Sequence, residues 1–89
     1  MMEEITNLID RDVYTNQGIK LGVVGNVILD ISNDRVDGLF VTNTNPQLIE
    51  NSVNVSVPYR WVQAIGDIII LKYFPPKLVV KREQKEEEE

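Results

Sequence analysis

Six aspartates in the body of the chain could do acid–base work: Asp10, Asp12, Asp30, Asp34, Asp37 and Asp67. Two carboxylates brought together can share a general-acid and general-base task. Each of these falls at a predicted strand end or turn, where solvation or capping of backbone donors is the expected duty. Their spacing does not follow the alternating ligand order of a calcium loop. Histidine and cysteine are both absent. That removes the imidazole of hydrolytic triads, the thiol nucleophile, the zinc ribbon and the disulfide framework. Gly18, Gly22 and Gly25 are spread along one predicted hairpin without a following helix or a P-loop lysine, so they do not form a phosphate cradle. No catalytic residue, cofactor site or metal site is expected, and the chain reads as a non-enzyme.

The elements that would have to position such residues are short strands. With 89 residues and 43% apolar content, the chain has material for one small core. A domain of this size buries a limited share of its surface and gains by pairing with a copy of itself. Residues 5–9 suggest one helical turn, with Leu8 and Ile9 closing an end of the core. Val13–Thr15 reads as a short strand, followed by a turn in which Gly18 supplies positive φ. Leu21–Ile31 is β-branched and contains two glycines, which favours strand over helix. Its apolar residues fall on both parities: Val23, Val27 and Leu29 on one, Val24 and Ile28 on the other. Either a bulge near Gly22 or Gly25 resets the phase, or both faces are covered, the second by a partner.

Ser32–Arg35 is a polar turn, and Val36–Asn43 is the return strand. Gly38 inside that strand marks a close backbone approach or a sharp coil. Thr42–Ser52 is a polar loop around Pro46, held down by Leu48 and Ile49. Val53–Val57 alternates cleanly, with its three valines inward. Pro58 ends that strand, and Tyr59–Val62 forms one tight turn. Gln63–Ile65, with Val62 and Ile65 re-entering the core, a reversal at Gly66 and Asp67, and Ile68–Tyr73 complete the pattern before Pro75-Pro76. Leu78–Val80 reads as a brief edge strand. The turn positions are therefore Gly18, Gly38, Pro58, Gly66 and Asp67. The fold class is all-β: about six short strands curled into a small closed, highly coiled barrel, which would remove exposed edges. The domain is expected to span residues 1–80, with 81–89 as a charged, fraying tail.

Net charge is −5. Such a surface is a poor match for free nucleic-acid backbone or an anionic membrane, and leaves a basic protein face open as a partner. The tail, with three Lys/Arg and five Glu, leaves −3 on the rest. The start, Met1-Met2-Glu3-Glu4, is acidic with no apolar stretch after it, and no run approaches a membrane span. A cytoplasmic location is expected, where the Asn54-Val55-Ser56 triplet is a chance match. Aromatic residues do not interleave with a basic patch as RNA-stacking surfaces require. Trp61 is either packing for its turn or an interface anchor. Tyr73 and Phe74 would lie at a dimer seam if the last strand continues into a second copy. With Val24 and Ile28 on the second parity, these five are the candidate protein-interface residues.

Three segments carry a resemblance: residues 12–30 (DVYTNQGIKLGVVGNVILD), 35–41 (RVDGLFV) and 57–71 (VPYRWVQAIGDIIIL). Together they resemble the PRC-barrel family, which includes the photosynthetic reaction-centre H subunit and the C-terminal domain of the ribosome maturation factor RimM. The likeness covers about residues 5 to 74. The third segment is the most specific, with Val-Pro-aromatic, a short turn, Ile-Gly-Asp and an apolar strand in order. Asp10 departs from the pattern, which usually has glycine there; Asp tolerates unusual φ better than most residues. The resemblance implies a β-barrel adaptor rather than an enzyme. Stand-alone copies of this size look archaeal; some resemble PRC-barrel proteins of archaeal cell division, which associate with SepF, the membrane anchor of the FtsZ ring, and others have no assigned role. RimM-like members imply an alternative: ribosome maturation or RNA processing through docking on a basic ribosomal protein.

Overall fold

β-branched residues and glycine dominate the stretch from residue 20 to 42, and it folds back on itself as a long hairpin. The computed structural model describes residues 7–76. They form six strands: β1 (Asp12–Tyr14), β2 (Lys20–Asp30), β3 (Arg35–Thr42), β4 (Val55–Pro58), β5 (Val62–Ile65) and β6 (Ile69–Leu71). All belong to one sheet in the order β4-β3-β2-β1-β6-β5. Neighbours are antiparallel except β1 and β6, which run parallel with Val13 opposite Ile69. The all-β class and the number of strands are as expected. The backbone ladder is open at β4 and β5, its two edges, and these are consecutive in the chain. The 3₁₀ turn Tyr59–Trp61 joins them, so connectivity rather than hydrogen bonding bridges the edges. The expected strand at Leu78–Val80 and the charged tail lie outside the described residues.

Bulges explain the broken parity of β2. Val24 pairs with Val41 and Asn26 with Phe40, so Gly25 is an extra residue on that strand. A second irregularity sets Val13 opposite Gly22 but Tyr14 opposite Lys20. Each extra residue flips the side chains that follow it. The inward residues of β2 accordingly become Leu21, Val24 and Val27. One core therefore takes apolar residues from both parities, and a second covered face is not needed to explain them.

The core is built from Val13, Leu21, Val24, Leu39, Val41, Val57, Ile69 and Leu71 on the strands, and Leu8, Leu48 and Ile49 from outside them. Fully burying a side chain of this kind contributes about 1.5–3 kcal/mol. Leu8 closes one end as expected. Ile9 does not: the turn ends in Asp10 at φ 75, and Ile9 is left exposed. The left-handed backbone falls on Asp10, and Asp accepts it better than most residues. Val57 is buried while Val53 and Val55 pack against the core margin, with Asn54 and Ser56 outward.

Two of the expected glycine roles hold. Gly18 has φ 79 in the β1–β2 turn. A Cβ on Gly38 would lie 2.8 Å from the Val57 carbonyl oxygen, so β3 and β4 approach more closely than a side chain permits. Gly66 differs. Its φ is not left-handed, and nothing lies within 4 Å of a Cβ built on it. The reversal after β5 takes three residues, 66–68, with the Gly66 N–H donating to the Ile68 carbonyl at 2.9 Å. Asp67 sits exposed in this turn.

The loop around Pro46 is a plug over the core. Leu48 and Ile49 are buried, as expected. Asn45 fixes the loop to β2: its side-chain amide donates to the Lys20 carbonyl at 2.9 Å and its backbone N–H to the Leu21 carbonyl at 2.8 Å. The Thr44 hydroxyl, also buried, donates to the Val53 carbonyl at 2.8 Å. Buried polar groups are stable only when paired in this way.

Candidate interaction surface

Three of the five candidate interface residues meet. The turn after β4 delivers Trp61, and the segment leaving β6 delivers Tyr73 and Phe74. The Lys72 N–H donates to the Trp61 carbonyl at 2.8 Å, which clamps the two segments together. The Trp61 and Tyr73 rings meet edge to face with centroids 4.9 Å apart, and Phe74 stands edge-on to Trp61 at 6.1 Å. Such T-shaped pairs follow the ring quadrupoles and add to area burial. Trp61 and Phe74 pack against the core, whereas Tyr73 is 53% exposed. The packing reading of Trp61 holds: it is half-buried, sits against the core and carries the exposed Tyr73 ring on its edge.

The other two do not join them. Val24 is fully buried in the chain's own core, because the β2 bulge turns it inward, and it presents nothing to a partner. Ile28 is half-buried, with its Cδ1 over Gly38. Ile65, expected to re-enter the core beside Val62, is instead 42% exposed; β5 is an edge strand, and only Val62 packs inward from it.

A concave surface, lined by none of the five candidate interface residues, lies elsewhere. An open groove of ≈ 1180 Å³ lies between the distal part of the β2–β3 hairpin and a wall formed by the 7–11 turn, the Tyr59–Trp61 turn and the end of β5. Its apolar lining includes Leu29, Val36 and Ile65, and Ile31 stands 80% exposed at the hairpin tip. Arg11 braces the far wall by donating to the Asn7 carbonyl at 2.7 Å and to the Gly66 carbonyl. The groove draws on segments up to 59 positions apart, from Asn7 to Gly66.

The aspartates are dispersed in duty. Asp12 faces Lys20 at 3.2 Å, and Asp30 faces Arg35 at 3.6 Å. Asn33 donates from its side chain and its backbone to Asp30, and with the Arg35 charge this holds the Asp30 carboxyl below the usual carboxylate range despite a smaller opposing effect of desolvation. Asp34 and Asp37 line the groove. Among the described residues, no three acidic side chains gather as a metal site would require, and no helix is long and apolar enough to cross a membrane.

A small all-β scaffold of this kind is a protein-interaction module in the family that the chain matches. The PRC-barrel domain model matches residues 1–78, and the chain belongs to that family, whose domain is a non-catalytic β-barrel. No curated protein matches the chain at a significant level.

Proposed function

We propose that this chain is a cytoplasmic, non-enzymatic adaptor that works as a homodimer and docks a protein partner on the Trp61–Tyr73–Phe74 face. The observation that carries the proposal is the aromatic cluster itself: an exposed tyrosine packed on Trp61, which in turn packs on Phe74 and the core. Aromatic anchors of this kind dominate binding energy at protein interfaces, because they offer large area at little conformational cost. In the division reading the partner is a SepF-like anchor of the FtsZ ring. Resemblance to archaeal stand-alone PRC-barrel proteins supports that choice. Co-purification from native cells should recover a SepF-like protein with the wild-type chain and lose it with Tyr73→Ala, whose exposed position leaves the fold intact. Consistent recovery of unrelated partners alone overturns the division role.

The net charge of −5 favours a second reading, an accessory module docking on a basic ribosomal protein. It predicts co-sedimentation with precursors of the small ribosomal subunit. Absence from those fractions rejects it.

A further inference from the structure

We infer that the β2–β3 hairpin tip of one copy seats in the groove of a second copy, and reciprocally, as a two-fold clasp. The inference rests on the homodimer reading and gives it a geometry. The two sides of the groove carry opposite charge. On the hairpin, Asp30 and Arg35 offset each other, and Asp34 and Asp37 remain. On the far wall stand Arg11 and Arg60. Among the described residues, neither arginine has a carboxylate within ion-pair distance, and neither aspartate has a cation. The bonds of Arg11 go to carbonyl oxygens, which orient its guanidinium without neutralising it. A single copy holds the two charge sets apart across an open space.

A two-fold axis brings them together twice. In an isologous contact, residue i of one copy meets residue j of the other and j meets i. Two hairpins lying side by side in opposite directions place each acidic tip against the other copy's arginine wall. Ile31, the most exposed large apolar side chain in the described chain, then leaves water against the apolar strip that includes Ile65. An isoleucine at a polar hairpin end gains nothing locally, since turns favour Gly, Asn, Asp and Ser. The groove, at ≈ 1180 Å³, lies open between the hairpin and the far wall. A second copy is the occupant favoured because one chain supplies both complementary charge sets and the apolar plug.

Sedimentation-velocity and light-scattering measurements at tens of micromolar test the clasp. The wild type should be dimeric. Ile31→Asp and Arg60→Glu should each weaken association at least tenfold while circular dichroism stays unchanged, because both side chains are exposed. Asp37→Arg should do the same. An equimolar mixture of R60E and D37R chains should recover the dimer, since every hairpin–wall contact then pairs opposite charges again. A wild-type chain that stays monomeric overturns both the clasp and the homodimer. A dimer that persists in Ile31→Asp and Arg60→Glu, or a mixture that fails to re-associate, overturns the clasp and leaves the homodimer standing. Tyr73→Ala lies outside the groove and should leave dimerisation unchanged while abolishing partner recovery, so failure of the partner reading is told apart from failure of the clasp.

Discussion

The base and the tip of the β2–β3 hairpin are made of the same two strands, yet they serve opposite ends. At the base, Leu21, Val24, Leu39 and Val41 are fully buried, Gly38 lies against the β4 backbone, and the Pro46 loop closes over the top through bonded polar groups. At the tip, Ile31 stands in water, Arg35 and Asp37 are exposed, and the strand partners are the two halves of the hairpin alone. The comparison separates what holds this protein together from what it leaves in water. Buried apolar area and close backbone packing stabilise the base. The tip contributes little to the fold, so its residues are free to be chosen for recognition.

Substitutions that break the base should cost most. Leu39→Ala removes a fully buried side chain and should lower unfolding free energy by about 2–5 kcal/mol in urea titrations. Gly38→Ala drives a Cβ into the Val57 carbonyl and should cost about 1–3 kcal/mol by the same measurement, since backbone has to move. Gly66→Ala is its internal control, because open space surrounds that position. Thr44→Val keeps the shape but leaves the Val53 carbonyl without its buried donor, a loss of about 1–3 kcal/mol. At the tip, Ile31→Ser should leave monomer stability, measured under dilute conditions, within about 0.5 kcal/mol.

The smallest effect concerns Asp30. Its folded pKa lies below the ordinary value, chiefly through the Asn33 side chain. Its contribution is therefore present at neutral pH, above the unfolded pKa, and is lost as pH falls through the depressed folded value. Asn33→Ala should raise the Asp30 titration midpoint toward the ordinary range in carboxyl-resolved NMR. An unchanged midpoint would remove Asn33 from the account.

Much of the base was legible because its signals are local. Alternating valines mark β4, Pro58 marks the corner, Gly38 marks the close approach, and Leu48 and Ile49 stand out in a polar loop. The phase of β2 was legible only as a choice, because a bulge and a covered second face leave the same mixed parity in the sequence. The structure decides for the bulge, and Val24 moves from candidate surface to core. Ile65 and Ile9 failed for a related reason: an apolar residue on an edge strand or in a turn looks inward in sequence until the topology shows that nothing lies over it. The aromatic cluster was foreseeable as residues but not as a unit, since its contacts depend on the clamp between Lys72 and Trp61. The groove was not foreseeable, because its walls come from distant segments and only the closing of β1 onto β6 brings them face to face.

That parallel pairing has a consequence for how the protein is made. β1 sits between β2, which follows it within a few residues, and β6, which reaches it only after 55 intervening positions, with Val13 waiting for Ile69. Local hairpins form early, while contacts far apart in sequence delay completion. On the ribosome, β1 to β4 can assemble as they emerge, with the flank of β1 unpaired until the last hairpin leaves the exit tunnel. The nascent chain thus carries a vacant strand slot until Ile69 and Ile70 have emerged. A pause in translation after β4 lengthens the time in which that slot can accept a stranger's strand.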